Sequence, residues 1–338
     1  MTPHDAGGAQ SAHASTELDE RVDARREAAT RRMFDEVIAG LSASPRSLPS
    51  KYFYDEAGSR LFDEITRLDE YYLTRAETRI MEAHAGDMAR AIGPGALLVE
   101  FGSGSSVKTQ VLLDCLDGPA GYMPIDISGD YLEAVAGRLR KRHPGVPILP
   151  VVADFTEPLS LPRPPTKPVR RIVYFPGSTI GNFPVLAAVR LLGRMRGLAG
   201  RGGAVLIGFD LLKSRARLHA AYNDEAGVTA RFNLNLLEHV NREIGADFDL
   251  DGWEHRAPFN EEASRIEMHL VSRRGQTVHV GDRAFEFAAG EVIVTEFSHK
   301  YTREAFAELA GTAGLRSVSE WADPEGLFCV QLLVSTQG

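Results

Sequence analysis

The ten residues Leu97–Ser106, LLVEFGSGSS, constrain the fold of this chain more than any other stretch. Leu97, Leu98 and Val99 make an apolar run of the length of a short buried strand, and Glu100 and Phe101 follow it. Gly102-Ser103-Gly104-Ser105-Ser106 comes next, and Val107–Leu116 can be helical. A strand, a glycine-rich turn and a helix in that order form the first unit of a nucleotide-type βαβ fold. Glycine, having no Cβ, lets the backbone approach a ligand closely. Helix-start amides and serine hydroxyls can then bond the ligand's polar groups.

The dinucleotide fingerprint places a third glycine three residues after the second, and here that position is Val107. This weakens a pyrophosphate reading. Glu100 before the glycines, the GxG itself and Asp126 at the end of a second strand suit S-adenosylmethionine better. That molecule has a ribose diol for a carboxylate and a charged methionyl tail, but no phosphate. On this motif alone, a tight turn in an unrelated α/β domain stays open.

With 338 residues the chain is long enough for about two domains and a sizeable core. A formal net charge of -8 argues against a nucleic-acid partner. Cys115 and Cys329 each sit in an apolar run and read as core thiols in a reducing compartment, not as a disulfide or a metal site. No stretch approaches twenty uninterrupted apolar residues, and the first residues lack the apolar region of a secretory signal. The expectation is a cytoplasmic protein without membrane contact. No exposed apolar seam is evident, so it is expected to be a monomer.

Residues 1–17 are small and polar and read as a disordered tail. A helical pattern runs from about Leu18 to Leu41 and is broken by Pro45 and Pro49. Aromatics are then dense: Tyr52, Phe53, Tyr54, Phe62, Tyr71 and Tyr72. Phe53 and Phe62 suit packing between helices, whereas clustered tyrosines, which keep their hydroxyls bonded, hint at a ligand wall. A helix over Thr74–Ala91 leads into the first strand. Further strands are expected at 122–126, at 148–155 ending in Asp154-Phe155, and from 171 into the loop Gly177–Asn182. A helix over Leu186–Leu198 precedes a fifth strand, 204–210. Ligands of open parallel α/β sheets lie at the carboxyl ends of the strands, and these motifs all fall there. Residues 212–262 read as mostly helical and 265–301 as strands, too long for one crossover and therefore an inserted domain. A helix over Arg303–Ala313 and two strands joined by a short Asp-Pro loop close the chain as an antiparallel pair at the sheet edge.

From SLPSKYFYDEAGSRLFDEIT, LDEYYLTRAE, VEFGSGSSVKT, PGSTIGNF, AYNDEAGVTARFN, ADFDLDGWEH, RIEM and TEFSHKY, over roughly residues 45–335, the chain resembles the histidine-specific methyltransferase family of ergothioneine biosynthesis, the EgtD type. The resemblance implies an α/β fold: a class I S-adenosylmethionine-dependent methyltransferase (Rossmann-like) sheet with an inserted α+β substrate-binding domain. The corresponding division is a tail at 1–17, an N-terminal part of the substrate domain at 18–75, a methyltransferase domain at 76–211, the insertion at 212–299 and a return at 300–338. The implied reaction is transfer of three methyl groups to the α-nitrogen of L-histidine, giving hercynine. It carries cofactor contacts onto Gly102, Lys108, Asp126, Asp154 and Phe155, with Lys108 toward the methionyl carboxylate and Asp126 toward the ribose. Histidine contacts fall on Tyr71, Gly177, Asn182, Tyr222, Glu296 and Ser298. Met268 falls in the imidazole pocket, and Tyr54 and Phe232 near the reacting amine, Tyr54 being the candidate catalytic residue. His299 is given no role.

The chemistry suits these residues. Glu296 and Ser298 stand two apart in a β-like run and share a face. A neutral imidazole has one N–H donor and one acceptor nitrogen. A carboxylate can take the first and a hydroxyl can serve the second. Polar residues of an edge strand facing water are the plain alternative. Asn182 can bind an amine or a carboxylate, or cap the helix after Gly181. No histidine spacing demands a metal. The rivals are a methyltransferase of the same family acting on another amine such as tryptophan, a nicotinamide-dependent oxidoreductase, and a non-catalytic binding module.

Overall fold

The structure, a computed structural model, describes residues 27–104 and 106–337. The expected tail at 1–17, and the start of the first helix at 18–26, lie outside the described residues. From residue 27 that helix runs to 42.

A seven-stranded sheet carries the glycine motif. Its order is Leu315–Ala322, Phe328–Ser335, Ala204–Asp210, Arg170–Phe175, Ala96–Phe101, Gly121–Asp126 and Val151–Val152. Neighbours run parallel except Phe328–Ser335, which is antiparallel to the strands on both sides. This is the class I methyltransferase order, and it bears out the expected closing pair at the edge. All six residues of Ala96–Phe101 and all seven of Ala204–Asp210 are buried. Strands covered on both faces read as continuous apolar runs, which is why these were legible. Leu97, Val99 and Phe101 pack with Val173, Phe175, Val205, Ile207 and the helix side chains Leu192 and Met195 in one apolar core. Chain order reverses beside Ala96–Phe101, which opens a crevice at the carboxyl ends.

Three expectations need correction. The third strand is not 148–155 but Val151–Val152, with Ile148 making one bridge to Tyr122, because Pro147 and Pro150 have no N–H to donate to a ladder. Trp253–Arg256 is not helical; it is a strand paired antiparallel with residues 269–272. Cys115 is exposed, since the helix Val107–Leu113 has already ended in a turn; Cys329 alone of the two is a core thiol.

The chain divides into two compact units. One comprises the described part of Met1–Phe53 with Phe232–Arg256 and His269–Thr295; the other comprises Tyr54–Arg231, Ala257–Met268 and Glu296–Gly338. In the first, Arg46–Ser47 pairs parallel with Ile293–Val294, and the strands Gln276–Val280 and Arg283–Phe287 form a hairpin. The second holds the seven-stranded sheet. Its first segment begins at Tyr54 and runs to Arg231. Hydrogen bonds explain why: Tyr72 bonds Asp210 at the end of a sheet strand at 2.6 Å, and Lys300 joins Tyr222 at 2.8 Å and Asp210 at 2.9 Å.

Candidate active site

The strand Ala96–Phe101 ends where Gly102 (φ 66°) and Gly104 (φ 47°) take left-handed backbone, a conformation that disfavours any side chain. Asp126, ending the neighbouring strand, holds this loop. Its Oδ2 accepts from the Gly104 amide and its Oδ1 from the Ser128 amide, both at 3.1 Å. A Cβ on Gly102 would stand 3.5 Å from the Phe155 ring, so the phenyl lies against bare backbone. Phe155 also stacks on Phe101 at 5.4 Å and 21°. Asp154 accepts from the amide of Thr156 at 2.9 Å and from its hydroxyl at 2.5 Å, which makes it a turn former.

This end of the sheet fits an adenosyl group. Within the glycine loop, the buried Ser103 Oγ has no hydrogen-bond partner among the described residues, a costly state that a ligand's polar atom would relieve. Beside a Cβ built on Gly104 there is open space. Glu100 is not part of that surface. It is buried, accepts from Thr109 at 2.8 Å and from the Tyr122 hydroxyl, and burial pushes its carboxyl up to about 8. It is an internal acid behind the loop.

Lys108 does not stand alone. It pairs with Glu77, a fully buried carboxylate on the helix Leu73–Ile92. The Gly177 amide donates to the same carboxylate at 3.0 Å. A Cβ on Gly208 would meet Glu77 Oε1 at 2.5 Å, so a bare strand position makes room for the acid. Glu77 therefore ties the Gly177 loop to Lys108, a role not evident from its place in the sequence.

The second half of the site lies on the strand Val292–His299 and its continuation. Glu296, Ser298 and Lys300 alternate along it. Asn182 Nδ2 donates to Glu296 Oε2 at 3.0 Å. The Thr179–Asn182 turn reaches this strand because Gly181 leaves room: a Cβ there would stand 2.9 Å from the His299 carbonyl. His299 Nδ1 and the Gly181 carbonyl are 2.7 Å apart, so His299 docks the loop. Ser298 Oγ and the Tyr222 hydroxyl are 2.7 Å apart. Lys300, with a side chain fully removed from solvent, donates to both at 2.8 Å and pairs with Asp210. Glu296 is not a carboxylate in open water. Burial raises it to about 7, against the lowering effect of Lys300.

Tyr71 meets Tyr222 edge to face at 6.2 Å and Phe62 at 6.3 Å. Tyr54 packs on Phe62 at 5.7 Å, and its carbonyl accepts from the Ser128 hydroxyl at 3.1 Å. Burial raises the phenols of Tyr54, Tyr71 and Tyr222 well above their ordinary value, so all three stay protonated at neutral pH. At Tyr54 burial is the main cause, and the charges of Glu296 and Asp126 add to the shift. Met268 is buried on the inward face of Arg265–Ser272. Phe232 belongs to the other unit, where it stacks on Phe53 at 4.5 Å. No group of three or more His, Cys, Asp or Glu side chains among the described residues is placed to hold a metal. None of the described helices is long and apolar enough to cross a membrane.

Comparison with known proteins identifies the family. The family model of histidine-specific, SAM-dependent methyltransferases matches residues 33–335. A histidine N-alpha-methyltransferase of Mycolicibacterium smegmatis is 44% identical over 306 residues, covering 88% of this chain and 94% of its own. That of Mycobacterium tuberculosis is 42% identical over 303 residues, covering 88% and 93%. Ergothioneine biosynthesis protein 1 of Neurospora crassa is 32% identical over an alignment of 345 positions that covers 95% of this chain but 38% of that larger protein.

Proposed function

Because this chain belongs to the histidine-specific, S-adenosylmethionine-dependent methyltransferase family, we propose that it methylates the α-nitrogen of L-histidine three times, giving hercynine for ergothioneine biosynthesis. One observation carries the substrate: Glu296 and Ser298 share a strand face, each already joined to a second polar side chain, Asn182 and Tyr222. A carboxylate beside a hydroxyl matches the donor and the acceptor of a neutral imidazole. An apolar ring would leave each without that additional partner, which such sites reject strongly.

S-adenosylmethionine supplies a methyl group on a sulfonium sulfur, displaced in line by the amine. Gly102, Asp126 and Phe155 would hold its adenosyl part, and Lys108, kept in place by Glu77, would face the methionyl carboxylate. Asn182 and Tyr222 orient the amino-acid end of the substrate, and Met268 packs on its ring. The amine must shed its proton before attack. A protonated Tyr54 cannot be the base, so its part is to align the amine or pass a proton along. After that, alignment in a water-poor site supplies most of the rate. The faces of Tyr54, Tyr71 and Tyr222 tolerate the growing methylammonium charge. In this reading the protein works as a cytoplasmic monomer.

Calorimetric titration of each proteinogenic amino acid into protein saturated with S-adenosylhomocysteine tests the specificity. Histidine alone is expected to bind tightly; tighter binding of tryptophan would overturn the pocket reading. The pH dependence follows from Glu296. Below about 7 its carboxyl is protonated and has lost the charge that accepts the ring N–H; above about 7 it is ionised. Free histidine also becomes imidazolium below about 6.5, replacing its acceptor nitrogen with a second donor. Both effects act in the same direction, so the KM for histidine should fall as pH rises from 6 to 8. In Glu296→Gln the limb near 7 should vanish, leaving only the limb of the substrate ring.

A further inference from the structure

We propose that Lys300 is a positioning residue that sets the direction of the Tyr222–Ser298 hydroxyl pair, so that Ser298 meets the substrate ring only as a hydrogen-bond donor. The inference rests on the histidine reading above and deepens it.

An ammonium has three donors and no acceptor. Lys300 spends them on Ser298 Oγ at 2.8 Å, the Tyr222 oxygen at 2.8 Å and Asp210 Oδ2 at 2.9 Å. Asp210 is itself fully buried and anchored, taking the Tyr72 hydroxyl at 2.6 Å and Lys213 at 2.5 Å. The ammonium is thus paired and held in one orientation from behind. The two hydroxyls, 2.7 Å apart, bring two protons between them. Neither proton can be given to Lys300, which only donates. One lies in the bond between the two oxygens. A phenol is more acidic than an aliphatic hydroxyl, so Tyr222 donates and Ser298 accepts. Both lone pairs of Ser298 are then occupied, by Lys300 and by Tyr222. What remains is its O–H, pointing away from both, and its partner must be an acceptor. An unprotonated imidazole nitrogen qualifies; an N–H or a ring edge without nitrogen does not. With Glu296 taking the N–H on the other side, the pair selects one tautomer in one orientation. Lys300 does this without touching the substrate.

The test is steady-state kinetics with L-histidine and with β-(2-thienyl)-L-alanine, whose ring has the same size and no nitrogen. Lys300→Met is expected to narrow the kcat/KM ratio between the two by about tenfold, through the KM for histidine, the size of one oriented hydrogen bond in a closed site. Affinity for S-adenosylhomocysteine should stay at the wild-type value. In a Ser298→Ala background the same change should add nothing further to the ratio, because Lys300 acts through that hydroxyl. Equal losses on both substrates, or full additivity with Ser298→Ala, would overturn the proposal and leave Lys300 a structural ion pair. If wild-type protein shows no preference for histidine over the thienyl compound, the histidine reading itself fails and this inference with it. Should Lys300→Met lose S-adenosylhomocysteine binding, the ratio is read instead on Asp210→Asn/Lys213→Met/Lys300→Met, which removes the buried carboxylate together with both of its ammonium partners.

Discussion

Glu296→Ala is expected to raise the KM for histidine roughly tenfold to 150-fold while S-adenosylhomocysteine binds as before. The magnitude is that of a lost hydrogen bond to a charged group in a closed site, about 1.5–3 kcal/mol. The upper end is favoured because the change also strips Asn182 Nδ2 of its acceptor at 3.0 Å, disturbing the residue proposed to hold the amino-acid end. Cofactor binding should be spared, since the glycine loop is held by Asp126, on a different strand. Discrimination should collapse along with affinity. An aromatic amino acid without ring nitrogens gains relative to histidine, because the penalty for burying a carboxylate against a ring that gives it no hydrogen bond is gone. Calorimetry on protein saturated with S-adenosylhomocysteine reads both quantities. Wild-type histidine affinity in this variant would remove Glu296 from the pocket.

Asp126→Ala is expected to weaken S-adenosylmethionine binding by a hundredfold or more with little change in thermal stability. Two charge-assisted hydrogen bonds to the ribose, at about 1.5–3 kcal/mol each, account for the loss. The second effect is on the loop. Asp126 ties down the Gly104 and Ser128 amides, so its removal leaves the left-handed turn without an anchor on the neighbouring strand. The fold should survive, because the strand Gly121–Asp126 is buried through its first five residues and Asp126 is only its half-exposed end. Asp126→Asn keeps an acceptor for one amide and should fall between the two. Unchanged cofactor affinity in the alanine variant would contradict the whole layout of the sheet end.

The parts of the molecule legible in the sequence are those with a local signal. Buried parallel strands are uninterrupted apolar runs, so AVLIGFD was placed residue for residue at 204–210. The shared face of Glu296 and Ser298 followed from a period of two. The residues missed were those whose meaning depends on contacts distant in the chain, although each left a trace. Glu77 sits on the apolar stripe of its helix among Leu73, Ala76, Ile80 and Met81, an anomaly for a charged residue. Its partners, Lys108 and the Gly177 amide, lie 31 and 100 residues away. Asp210 ends a strand as Asp126 does, yet it faces an ammonium. Lys300 continues the alternation Glu296, Ser298 by one more step, a pattern that could have been extended. The two prolines that shorten the strand around Val151 were equally visible. The division into compact units was not, since the segments following Tyr54 and Leu211 are tied to the sheet by buried side chains and not by any composition change.

The most direct test of the central claim is mass spectrometry of the products formed when the purified protein is incubated with S-adenosylmethionine and each proteinogenic amino acid in turn. The expected result is histidine carrying three methyl groups, with little reaction elsewhere. Methyl groups on a different amino acid, or histidine recovered unmodified, would contradict it.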